Sequence, residues 1–122
     1  MECICQIESI RADFIKSKKL LIAIGDETRQ NIITVLMGIG CGGLRVGEIT
    51  ANTHLSRPAV SHHMRILLDC GLVIVHKQGT KNYYSLHIGE EFETLHSLIS
   101  RIMDFKAAQE AGLFDKAVGH VV

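Results

Sequence analysis

Ser56-Arg57-Pro58-Ala59-Val60-Ser61-His62-His63-Met64-Arg65 gathers the groups of this chain best suited to chemistry. At helical spacing Val60, Met64, Leu67 and Leu68 fall on one side, and Pro58, Ser61, His62 and Arg65 on the other. Such a helix buries its apolar side and offers short polar and basic groups to a ligand. Ser61 and His62 are small enough to reach base edges in a nucleic-acid groove. Arg57 and Arg65 can meet phosphates, or pair with guanine in a bidentate contact worth about 1–3 kcal/mol. Ser56 is a good N-cap, and Pro58 is tolerated in the first turn, where the N–H it lacks has no partner. The free N–H groups of that turn favour a backbone phosphate. His63 has another option, packing against a neighbouring helix.

The sequence holds four cysteines. Cys3-Ile4-Cys5 is a compact pair and Cys41 lies in a Gly-rich stretch. Cys3, Cys5 and Cys41 are candidate ligands for a soft metal ion, with no third or fourth ligand identified. Structural or incidental thiols are the plainer reading. Cys70, at a helix end beside an apolar run, reads as a small buried residue. His87 and His96 read as surface histidines. No cofactor is firmly expected, and a metal ion is left open. No Gly-rich phosphate loop follows a strand, no carboxylate pair frames a site, and the Cys and His residues make no catalytic pattern. The chain does not read as an enzyme.

These groups need elements to hold them. With 122 residues, 47% hydrophobic and 21% charged, the chain fits a single domain over 1–122. No run reaches the roughly 18 apolar residues of a membrane helix, and Glu8, Arg11 and Asp13 break the first apolar stretch. A cytoplasmic protein without a membrane partner is expected. Basic and acidic residues balance at 13 each. Taken whole, that argues against a polyanionic partner. The balance is local, however. Over residues 57–87, Arg57, Arg65, Lys77 and Lys81 face Asp69 alone, net +3, whereas residues 88–122 carry net −3. Fields act over a Debye length of about 8–10 Å, so the segment matters more than the sum.

Ile7, Ile10, Phe14, Leu21 and Ile24 predict a first helix within 1–24, ended by Gly25. Asp26 caps a second helix, about Glu27 to Met37. Leu44 to Val46 could form a very short strand. A third helix over about Val46 to Asn52, a tight turn and a fourth over about Arg57 to Asp69 make a helix-turn-helix spanning 46–69. Gly71 ends the fourth helix. Leu72–His76 and Asn82–His87 read as strands around the polar loop 78–82, giving a β-wing over 72–87 with Lys77 and Lys81 near its tip. A long helix follows over 90–110, with Ile88, Phe92, Leu95, Ile99, Ile102 and Phe105 as its apolar stripe, widened by Leu98 and Met103, and Leu113–Val118 could add a short helix. The expectation is a mainly α fold with a small β-hairpin, a winged helix-turn-helix. The apolar sets Ile7, Ile10, Phe14 and Phe92, Leu95, Ile99, Ile102 exceed what a monomer of this size can use. They predict a homodimer through the first and last helices, 1–24 and 90–110.

The stretch Leu55 to Leu67, with Gly71-Leu72-Val73, Tyr83-Tyr84-Ser85-Leu86 and Gly25-Asp26-Glu27-Thr28-Arg29, resembles the ArsR/SmtB family of bacterial winged-helix repressors over roughly residues 20–100. The resemblance implies a homodimer on double-stranded operator DNA, read by the fourth helix and the wing. Arg57, Pro58, Ser61, His62 and Arg65 would contact the groove, with Lys77 and Lys81 on the flanking backbone. Relatives that sense metal through Cys-x-Cys in the third helix are matched here by Arg45 and Gly47, which cannot form a thiolate site. The positions of a second family metal site fall on Ile88, Glu90, Arg101 and Asp104. Ile88 cannot ligate and Arg101 would repel a cation. Relatives that pair cysteines of the second and last helices are not matched, because the last helix has none. The competing reading is a winged-helix module that binds protein without specific DNA binding, supported by the zero net charge.

Overall fold

The computed structural model describes residues 2–38 and 42–112. In chain order the elements are α1 (Glu2–Lys16), α2 (Lys18–Ile24), α3 (Glu27–Met37), α4 (Val46–Thr53), α5 (Arg57–Asp69), β1 (Val73–Gln78), β2 (Lys81–Leu86) and α6 (Glu90–Glu110). They fall into two compact bodies, one of residues 18–91 and one of 2–17 with 92–112.

The first body is the winged helix-turn-helix. Asp26 caps α3, its Oδ2 accepting the Arg29 N–H at 3.0 Å. Arg29, Ile32, Ile33 and Leu36 are buried, the i, i+3, i+4, i+7 stripe of one helix face. Ser56 caps α5, its Oγ accepting the Ala59 N–H at 3.2 Å, and Pro58 stands in the first turn. Val60, Met64 and Leu67 are at most 1% exposed, so the apolar side of α5 is locked into the core. Its end is a Schellman motif. Gly71 sits at φ +83°, its N–H donates to Leu68 O and that of Leu72 to Leu67 O, both at 3.1 Å.

The strands pair antiparallel, Val73 opposite Leu86 and Gln78 opposite Lys81. Only Gly79 and Thr80 remain in the turn, with Gly79 at φ +64°. The expected five-residue loop is thus a two-residue hairpin turn, because glycine at its first position supplies the positive φ such a turn needs. The expected strand near Leu44 shrinks to one bridge. Leu44 and Tyr84 exchange both backbone hydrogen bonds, each 2.8 Å.

The second body holds α1 and most of α6. Buried Asp13 joins them: its Oδ2 accepts from Ser97 Oγ and pairs with Arg101 Nε, each at 2.9 Å. One expectation is corrected here. The first helix does not run through to Ile24 but breaks at Ser17. Ser17 is a weak helix former, buried with its Oγ unpartnered, and Lys16 and Lys19 would set like charges one turn apart in a continuous helix. In α6 the buried residue is Leu98, 1% exposed, while Ile99 and Met103 stay 52% and 54% exposed. The expected apolar set of this helix is thus shared out: Leu98 turns inward, and Phe92, Leu95, Ile102 and Phe105 are half-buried. No helix among the described residues is long and apolar enough to cross a membrane. The expected short helix over 113–118 lies outside the described residues.

Candidate nucleic-acid interface

A three-residue turn, His54-Leu55-Ser56, joins α4 to α5, and His54 closes α4 in the left-handed region at φ +57°. The turn and caps leave one side of α5 open: Arg57, Pro58, Ser61, His62 and Arg65 are all exposed. The structure thus brings five of the expected residues onto one helix side, opposite buried Val60, Met64 and Leu67.

His63 points elsewhere. It is half-buried, and Arg29 Nη1 donates to its Nδ1 at 3.3 Å. The same guanidinium donates from Nε to Ala23 O at 2.8 Å and from Nη2 to Ile22 O at 3.0 Å. One buried arginine therefore ties the carbonyl end of α2 to α5. Its signal in the sequence is a basic residue at position 29 on the apolar stripe 29, 32, 33, 36 of α3.

Desolvation holds the His63 pKa below 6.5, helped by the charge of Arg29 and by His62, and opposed by Asp26. The imidazole is neutral and accepts at Nδ1. Asp26 lies below its usual carboxylate value, chiefly because it accepts the Arg29 backbone N–H. The consequence for pH has a definite sign. Below 6.5 the unfolded chain binds the His63 proton before the folded chain does, so this contribution is present above 6.5 and lost as pH falls through the lowered value. Thermal melting of wild type should fall more over this mildly acidic range than that of His63→Gln, which keeps an acceptor and cannot titrate. Parallel melting profiles for the two proteins would count against it.

Lys77 and Lys81 are exposed on the hairpin, but on opposite faces. Lys77 pairs with Asn82 on the face of Tyr84 and Leu86. Lys81 pairs with Gln78 on the face of His76 and Tyr83, whose rings stack at 5.6 Å. The expected grouping of both lysines at one tip is thus divided between two faces by the short turn.

The Tyr83 face borders a cleft of about 450 Å³ lined by Arg45, Gly47, Glu48, Arg57 and Tyr83. Glu48 Oε1 accepts the Arg45 N–H at 3.0 Å. Arg45 and Tyr83 were not among the residues expected at the site. The signal for them is the Leu44–Tyr84 bridge, which sequence spacing does not reveal.

Among the metal candidates, Cys5 is exposed, whereas the Cys3 side chain and Cys41 lie outside the described residues. Cys70 is buried, 5% exposed, as expected. Among the described residues no three His, Cys, Asp or Glu side chains converge as a metal site would need. Arg101 is committed to Asp13. Of the candidate dimer residues, Ile7, Phe14 and Ile99 are exposed, and Ile10, Phe92, Leu95 and Ile102 are half-buried.

Residues 26–75 match the model of the bacterial regulatory protein arsR family. Over 65 residues the chain is 37% identical to the transcriptional repressor SdpR of Bacillus subtilis, covering 53% of this chain and 69% of that one. The chain belongs to the ArsR family. It is also 34% identical over 68 residues to the arsenical resistance operon repressor of Staphylococcus aureus, covering 56% of this chain and 62% of that protein. An ArsR-like transcriptional regulator from Rhodococcus sp. RHA1 has a similar structure, with a TM-score of 0.70 at 25% identity over 82% of this chain and 88% of that one. As an ArsR-family member the chain is a DNA-binding transcriptional regulator with a winged-helix fold.

Proposed function

We propose that the chain acts in the cytoplasm as a homodimeric repressor that reads double-stranded operator DNA and is released by a signal not yet identified. The observation that carries this reading is α5, whose buried side is locked and whose exposed side gathers Arg57, Pro58, Ser61, His62 and Arg65. Its N-terminal turn would enter the major groove, with Ser61 and His62 at base edges and Arg57 and Arg65 at guanine or phosphate. Lys77 and Lys81, on their two faces, would reach backbone on either side of the wing. Dimerisation through α1 and α6 would set two recognition helices about one DNA turn, roughly 34 Å, apart. Ile4, Ile7, Phe14 and Ile15 of α1 and Ile99 and Met103 of α6 supply exposed apolar surface for it.

Selection of genomic fragments on purified protein tests this directly. A shared palindrome, with affinity falling steeply as salt rises, is expected, since each phosphate contact releases counterions. Fragments with no common sequence, or a salt-insensitive protein partner and no DNA shift, would overturn it in favour of a protein-binding module.

A further inference from the structure

We infer that the cleft between α4, α5 and β2 is a second seat for a DNA backbone phosphate, with Arg45 and Tyr83 joining Arg57 around it. The inference rests on the DNA-binding reading above and deepens it, because neither Arg45 nor Tyr83 lies on the exposed side of α5.

Two local features build the seat. The Leu44–Tyr84 bridge holds the residue before α4 against β2, which sets Arg45 beside Tyr83. The first turn of α4 meets the other arginine: a Cβ at Gly47 would stand at ordinary contact distance, 3.5 Å, from Arg57 Nη2. The two arginines thus line one cleft with Tyr83, although they are twelve positions apart in sequence. Neither arginine is held by an ion pair among the described residues.

One carboxylate also lines the cleft. Glu48 is turned to its own helix, accepting the Arg45 N–H. Two positive groups against one negative leave the cleft net positive. Its contents favour a tetrahedral anion: guanidiniums offer paired N–H donors, and the tyrosine hydroxyl adds another. The cleft is open rather than enclosed by apolar walls, which suits a phosphate that remains part of a polymer. Its position beside the first turn of α5 places it next to the backbone that flanks a helix lying in the groove. Lys81, on the Tyr83 face of the hairpin, extends the same basic margin.

The test compares wild type, Arg45→Ala, Arg45→Lys and Tyr83→Phe on the selected operator and on a short duplex of unrelated sequence. Arg45 is exposed, so folding should survive, and melting curves check it. Arg45→Ala should weaken both duplexes by a similar factor, roughly tenfold at 0.1 M salt, and lower the salt slope by about one. Arg45→Lys should restore the slope, and Tyr83→Phe should weaken both duplexes without changing it. An unchanged slope in Arg45→Ala, or a loss confined to the operator, would overturn the seat. A titration of the DNA-free protein with inorganic phosphate at constant ionic strength separates the other source of this chemistry. Saturable binding that Arg45→Ala abolishes while the DNA slope stays unchanged would make the cleft a free-anion site and overturn the proposal. If wild type itself binds neither duplex, it is the DNA-binding reading that fails.

Discussion

Ile99→Asp is expected to turn a dimer into monomers and to weaken operator binding by about 10²–10⁴-fold, the range over which joining two binding modules raises affinity. Ile99 is 52% exposed, and Met103, four residues on along the same helix side, is 54% exposed. A carboxylate at 99 would therefore disturb little within the monomer. In a dimer through α6 it would have to be desolvated against apolar neighbours without a partner. Leu95→Asp is a poorer probe, because Leu95 is half-buried and its loss would mix unfolding with dissociation. Sedimentation gives the mass and a melting curve confirms folding. Intact dimers of the folded variant would remove α6 from the interface.

Arg65→Ala is expected to cost about 1–3 kcal/mol of operator affinity, roughly 5- to 150-fold, if its guanidinium pairs with guanine. The residue is exposed and its side chain makes no hydrogen bond or ion pair among the described residues. Its removal should leave stability within about 0.5 kcal/mol of wild type. The loss should be larger on the operator than on unrelated DNA, in contrast to the uniform loss expected for a phosphate contact. Equal melting with unchanged affinity would strike Arg65 from the interface.

Much of the DNA-facing architecture was legible because it rests on short-range rules. Ser56, Pro58, the spacing of Val60, Met64 and Leu67, and Gly71 each act within one or two helical turns, and α5 begins and ends where they say. The exposed set on α5 follows from the same periodicity. What stayed hidden depends on partners far apart in sequence. Arg29 and His63 are separated by 34 positions, and the cleft needs the bridge between Leu44 and Tyr84. The division of the lysines between two faces followed from turn length, since a difference of one residue reverses which side a strand residue faces. The break at Ser17 was missed because apolar spacing continues across it, and only the serine and the flanking lysines speak against a continuous helix.

The arginine that holds α2 to α5 also sets which mutations the chain can tolerate. Its three nitrogens meet two carbonyls and an imidazole in a fan that only a planar, branched cation can span. Lysine would keep the charge but bring one compact head on a flexible stem, leaving at least one of those acceptors unmet beneath the surface. The exchange usually counted as mild among basic residues is thus closed at position 29. Homologous chains that carry lysine there must hold their recognition helix by some other device.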